Sequence, residues 1–131
     1  MKRSLDIRYN DHQFSKALKS YFDVTVENNI VVYRDGTCLG GCGFTYSPST
    51  NTAYAFILRL YPNWVSKQFY YKLLRYPFDT FNCEKCIAKV KKDNVRSHNV
   101  CRHLGGVQDE NGDWVFDKQR TLQIAEETFK S

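Results

Sequence analysis

Five cysteines, at positions 38, 42, 83, 86 and 101, are the first residues whose spacing suggests chemistry. Cys38-x-x-x-Cys42 and Cys83-x-x-Cys86 resemble two metal knuckles, and four thiolates would complete a tetrahedral zinc site. The first pair holds one residue more than the usual knuckle, although Gly40-Gly41 would let that loop close tightly. The same spacing has a second explanation, in which Cys38, Gly40 and Cys42 alternate as same-face positions of one strand. His98 and His103 would point ~140° apart on a helix, so one site does not take both. His98 is the most attractive group for proton transfer near neutral pH. Tyr46 and Tyr54 offer hydroxyls, and no carboxylate lies between Asp35 and Asp79.

Charge points to a partner. From Lys67 to Arg102 the chain carries nine Lys/Arg against three Asp/Glu, and from His103 onward three against six. This central basic block suits a phosphate-bearing partner, a nucleotide cofactor or a nucleic acid. A lysine-rich solvated surface explains it equally. Tyr70, Tyr71, Lys72, Arg75 and Tyr76 would suit a nucleic acid by stacking and phosphate contact. Core positions in a small domain account for most of these aromatics, so nucleic-acid binding is not favoured.

The elements that must position these groups follow from 131 residues, enough for one domain with a modest core. No apolar run is long enough to span a membrane. The opening Met1–Asp6 is basic without an apolar stretch behind it, so no signal peptide is expected. An odd cysteine count without an export signal argues against a disulfide framework. A cytoplasmic protein is the expectation.

Leu5 to Tyr9 reads as a strand. Asp11 caps a helix with Phe14, Ala17, Leu18 and Tyr21 on one face. Asn29 to Tyr33, the turn Arg34-Asp35-Gly36-Thr37, and Cys38 to Tyr46 form a hairpin. Thr52 to Leu60 follows as a central strand covered on both faces. Asn63 caps a helix from Trp64 to about Arg75, which Pro77 ends. Cys83 to Val90 is a strand. Asp93 or Asn94 caps a helix to Leu104, and Gly105-Gly106 stops it. Asn111-Gly112 joins a two-residue hairpin. Thr121 to Phe129 fits strand or helix, with strand preferred. The fold class is α+β, a largely antiparallel sheet flanked by helices.

Ile87-Ala88-Lys89-Val90 followed by Asn94, Ser97, Val100, Leu104 and Gly105 resembles the strand and helix of the GNAT N-acetyltransferases, written roughly N-x-x-[AS]-x-x-[LVF]-Y-x-[KR]-L-G-F. Arg34 to Gly41 is similar to that family's central hairpin. The resemblance covers roughly residues 30 to 116. The chain also resembles short phage-encoded GNAT-like proteins in its length and its Asn…Ser-His helix, which would put it in host cytoplasm or a virion.

The resemblance implies a V-shaped splay between two central parallel strands, with acetyl-CoA lying in it. Pantetheine would pair with the backbone of Leu58, Arg59 and Leu60. The pyrophosphate would meet Trp64, Val65, Ser66 and Lys67 at a helix N-terminus. Asn94 and Ser97 would line the cofactor arm, with Lys72 and Lys91 screening phosphates. The family tyrosine that protonates the departing thiolate is Cys101 here, either an acid or a core thiol. Tyr54 and His98 are the remaining candidates for proton transfer. The family's [QR]-x-x-G-x-[GA] loop is absent, since no glycine stands between Gly43 and Gly105.

The implied activity is acetyl transfer to an amine of a protein or small molecule. Two alternatives stand beside it: a GNAT-fold binding or virion-associated protein without catalysis, and a zinc-stabilised interaction module on Cys38, Cys42, Cys83 and Cys86. Oligomeric state is not legible.

Overall fold

The computed structural model describes residues 5–61 and 66–130. The first strand, β1, is Asp6–Tyr9, and helix α1 is His12–Phe22. A meander follows: β2 (Asn28–Arg34), β3 (Thr37–Ser47) and β4 (Thr52–Arg59). Helix α2 (Lys67–Phe81) leads to β5 (Lys85–Ala88) and α3 (Val95–His103). The chain ends with β6 (Val107–Gln108), β7 (Trp114–Asp117), α4 (Lys118–Ile124) and a π-helical turn, Ala125–Phe129. The described residues form one seven-stranded sheet ordered β1-β2-β3-β4-β5-β7-β6. Among them, only β4 and β5 pair in parallel.

Local chemistry accounts for most boundaries. Asp11 caps α1 by accepting from the Phe14 N–H at 2.9 Å. The β2–β3 turn has Asp35 and Gly36 at φ 51° and 80°, which suits a two-residue hairpin. The buried Asn29 ties β2 to the start of α1. Its Oδ1 accepts from Asp11 N–H at 2.8 Å, and its Nδ2 donates to the Asp11 carbonyl and Ser15 Oγ at 3.0 Å each. Tyr33 donates its hydroxyl to Asp11 Oδ2 at 2.9 Å beside it.

The sheet has two unequal faces. Phe14 and Leu18 of α1 cover one, with Val26, Val31, Tyr33 and Leu58. Helices α2, α3 and α4 cover the other, over Ile30, Val32, Cys42, Phe44, Ala53 and Ala55. Thr52 to Arg59 is therefore central and covered twice, as its pattern predicted.

Five sequence expectations are corrected. Pro77 does not end α2. The helix continues to Phe81, where Asn82 at φ 51° turns the chain and donates its N–H to the Phe78 carbonyl. Burial of Leu74, Pro77 and Phe78 offsets the hydrogen bond that proline cannot make. The Asn111-Gly112 hairpin is longer than two residues, because Asp109 Oδ1 gathers the N–H groups of Asn111 and Asp113 at 2.9 Å. Thr121 to Phe129 is helical rather than extended. Its second half packs on α2, with Glu126 accepting from Arg75 Nη1 at 2.7 Å and Tyr71 at 2.9 Å. Tyr21 turns outward and is 64% exposed, so α1 buries a narrower face than predicted. Finally, Cys38 and Cys42 do not share a face. A bulge in β3 at Leu39, opposite Val32/Tyr33, shifts the alternation, with Gly40 at φ 146°.

The buried acids make stability fall at high pH. Burial pushes the Tyr33 phenol up to about 12, helped by its bond to Asp11. Burial pushes Cys101 up to about 12, and it raises Cys42 and Cys86 as well. The folded chain holds these protons where the unfolded chain, with thiols near ~8.5 and phenols near ~10, has lost them. Stability is therefore intact below about pH 8 and drains as pH rises from about 9 toward 12. Urea titrations at pH 8, 9.5 and 10.5 are expected to give falling midpoints, and Cys101→Ala should flatten the slope.

Candidate functional site

The groove begins where the parallel ladder stops. Strand β4 pairs with β3 as far as Gly40–Arg59, but with β5 only as far as Ala55–Ala88. Beyond that pair the two strands diverge around a groove of about 410 Å³. Its walls are Ala55 to Tyr61 of the β4 side, except Phe56, and Ala88 to Lys91 of the β5 side. Asn94, Arg96 and Ser97 at the start of α3, and Tyr21 and Phe22 of α1, complete the lining.

The bulge organises the mouth. Leu60 and Tyr61 both donate their N–H to the Leu39 carbonyl, at 3.0 and 3.1 Å. Antiparallel strands alternate the direction of their polar groups. Leu58 and Leu60 therefore face β3, and Ile57 and Arg59 direct their N–H and C=O toward the gap. Leu58, Arg59 and Leu60 line the groove, and the backbone that faces the gap belongs to Ile57 and Arg59.

The opposite wall is held by a polar clamp. The Lys91 carbonyl accepts from Asn94 N–H at 2.9 Å and pairs with His98 Nε2 at 3.1 Å. His98 Nδ1 takes the Trp114 indole N–H at 2.8 Å. An indole only donates, so Nδ1 is the acceptor and Nε2 carries the proton. Asn94 Oδ1 caps α3 by accepting from Ser97 N–H at 3.2 Å. His98 thus fixes the turn that forms the groove wall. His98→Ala would strand the buried Trp114 N–H, at about 1–3 kcal/mol. The expected result is a melting temperature lower by about 5 °C, with His98→Gln recovering part of it.

The predicted residues divide. Leu58, Arg59, Leu60, Asn94 and Ser97 line the groove together. Ser66 caps α2 by accepting from Phe69 N–H at 3.1 Å, which leaves its hydroxyl proton available; neither it nor the exposed Lys67 lines the groove. Trp64 and Val65, with the expected cap Asn63, lie outside the described residues. Three proton-transfer candidates are not brought to the groove as free groups. Cys101 is fully buried, lining a small apolar cavity with Cys42 and Cys86. Tyr54 pairs with Ile87, below the point where the strands part. Both ring nitrogens of His98 are occupied.

Tyr70 of α2 is the side chain that sequence reasoning placed elsewhere. It lines a small cavity whose walls, Ile57, Arg59 and Ser97, also line the groove. Burial raises its phenol, while the nearby Arg59 opposes that rise. Its place on the apolar stripe of α2 concealed it in the sequence.

Among the described residues no group of cysteines, histidines and carboxylates is arranged to hold a metal. The bulge separates Cys38 from Cys42, and Cys83 and Cys86 are buried thiols of the core. No described helix is long and apolar enough to cross a membrane.

No family model and no curated protein sequence matches the chain. Solved structures do. The spermidine/spermine N-acetyltransferase SpeG from Vibrio cholerae superposes with a TM-score of 0.69 at 13% identity, over 92% of this chain and 98% of that one. A candidate acetyltransferase from T. thermophilus gives 0.60 at 20% identity over 76% of this chain. This chain spans 64% of that protein's length. The Salmonella typhimurium protein yncA, a candidate acetyltransferase solved with its cofactor acetyl-CoA, gives 0.62 at 13% identity, over 88% and 95%. With its mostly antiparallel sheet, its single parallel pair and the groove where that pair ends, this chain has the GNAT acetyltransferase fold.

Proposed function

We propose that the chain is an acetyl-CoA-dependent N-acetyltransferase acting on an amine. The observation that carries the reading is the divergence of β4 and β5 beyond Ala55–Ala88, which leaves strand backbone facing a groove. Pantetheine amides fit that backbone at Ile57 and Arg59 as an added half-strand. Four cations on the walls, Arg59, Lys89, Lys91 and Arg96, suit the cofactor's phosphates. The pyrophosphate would lie toward the N-terminus of α2, where the Ser66 hydroxyl and Lys67 meet it.

In this reading the amine nitrogen attacks the thioester carbonyl directly. The C–S electron pair leaves as the CoA thiolate, and Tyr70 rather than Cys101 supplies its proton. Tyr70→Phe should then lower kcat by roughly 10-fold or more while leaving cofactor affinity unchanged. Calorimetry with acetyl-CoA, followed by thiol release in the presence of amines, tests the whole reading. Absence of binding at millimolar acetyl-CoA would reject it.

A second reading is a GNAT-fold binding or virion-associated protein without turnover. The engagement of His98 and the burial of Cys101 favour it. Cofactor binding with no transfer to any amine would select it.

A further inference from the structure

The groove is lined by four cationic side chains and, among the described residues, by no aspartate or glutamate. Two of these cations, Arg59 and Lys89, sit on opposite faces of the sheet. Arg59 lies near Tyr70 of α2, and both line the same small cavity. Lys89 lies on the α1 face, its Nζ 5.9 Å from the centre of the Tyr54 ring. Tyr54 alternates with Ala53 and Ala55, which belong to the opposite core. On the α1 face the groove continues against Tyr21 and Phe22. The carboxylate next to them, Asp23, is paired with Lys19 at 2.9 Å and does not line the groove.

Resting on the acetyltransferase reading above, we propose that the acceptor is a small amine that carries its own carboxylate, held by Lys89 against the Tyr21–Phe22 wall. Charge carries the argument. If the cofactor's phosphates lie toward α2, Lys89 is left facing the acceptor from the other side of the sheet. A carboxylate on the acceptor meets that charge. A polyamine brings two or more further cations into a groove with no anion to receive them, and like charges at close range are strongly disfavoured. Size agrees, because a groove of about 410 Å³ suits a small acceptor beside the thioester arm.

The same charges address the missing base. An ammonium group cannot attack, and neighbouring cations favour its neutral form. The acceptor therefore enters the reaction as a free amine, its proton already given to water. Its lone pair forms the N–C bond, the C–S pair leaves on sulfur, and the nitrogen's extra proton passes to solvent. The products are an N-acetyl carboxylate and free CoA after the thiolate is protonated.

The test uses the full chain and compares two acceptors, β-alanine and spermidine, with β-alanine amide as the neutral control. Acetyl-CoA binding is measured first by calorimetry; its failure rejects the acetyltransferase reading and not the acceptor argument. With binding in hand, kcat/KM for β-alanine should exceed that for its amide and for spermidine by at least ~10-fold each. Lys89→Glu should shift the β-alanine to spermidine ratio toward spermidine by ~100-fold, a ratio in which changes in cofactor binding cancel. Spermidine as the better substrate, equal use of acid and amide, transfer to none of the three, or an unchanged ratio in Lys89→Glu would each overturn the proposal.

Discussion

Ser97→Trp should weaken acetyl-CoA binding sharply and leave the fold standing. Ser97 is half-buried, in the first turn of α3, and lines both the groove and the small cavity beside it. Its side chain makes no hydrogen bond that the fold needs; only its backbone N–H is used, in the Asn94 cap. An indole there occupies the space between α3 and β4. Ser and Trp have similar helix propensities, so the local cost is a few tenths of a kcal/mol. Acetyl-CoA affinity should fall at least ~100-fold, which is about 2.7 kcal/mol. The melting temperature should move by less than about 3 °C. Calorimetry and thermal melting on the same preparation read both. Unchanged affinity would place the cofactor elsewhere on the molecule.

Gly41→Ala should be the most damaging single methyl group. A Cβ at Gly41 would fall on the carbonyl oxygen of Ile30 and 2.8 Å from the Val31 Cα. These are backbone atoms of the neighbouring strand, so no rotamer change relieves the clash, and β2 and β3 must separate. A loss of about 3 kcal/mol is expected, or about 10 °C in melting temperature for a chain of this size. Gly36→Ala is the comparison. Gly36 has φ 80° and open space around it, so only the left-handed backbone opposes the substitution, at about 1 kcal/mol. Urea unfolding of the two variants separates crowding from backbone preference. Equal losses would mean that β2 and β3 have slack to yield.

Much of the fold was legible because its signals are local. The Asp35-Gly36 turn, the Asp11 and Asn94 caps and the Gly105 stop each depend on a few neighbouring residues. The cysteine alternation was misread because a bulge is set by the partner strand. Residues 121–129 were misread because their periodicity fits two structures, and packing on Tyr71 and Arg75 selects one. The groove itself was legible as a segment, Leu58 to Leu60, but not as a direction. Which backbone groups face it depends on the bond from Leu60 to Leu39. The same limit applies to His98, whose partners Trp114 and Lys91 are set by packing and are not legible in its local sequence.

The short strand β5 also carries a kinetic consequence. Its four residues pair with β4 across a separation of 33 positions, Thr52 with Lys85, and with β7 across 32, Lys85 with Asp117. Both ladders must close long chain loops before any bond is gained. The meander β2–β4 assembles through neighbouring strands and short turns, so β5 slides in late, between two partly formed halves. The groove is therefore expected to take shape late as the chain folds, and to be among the first features lost when it begins to open.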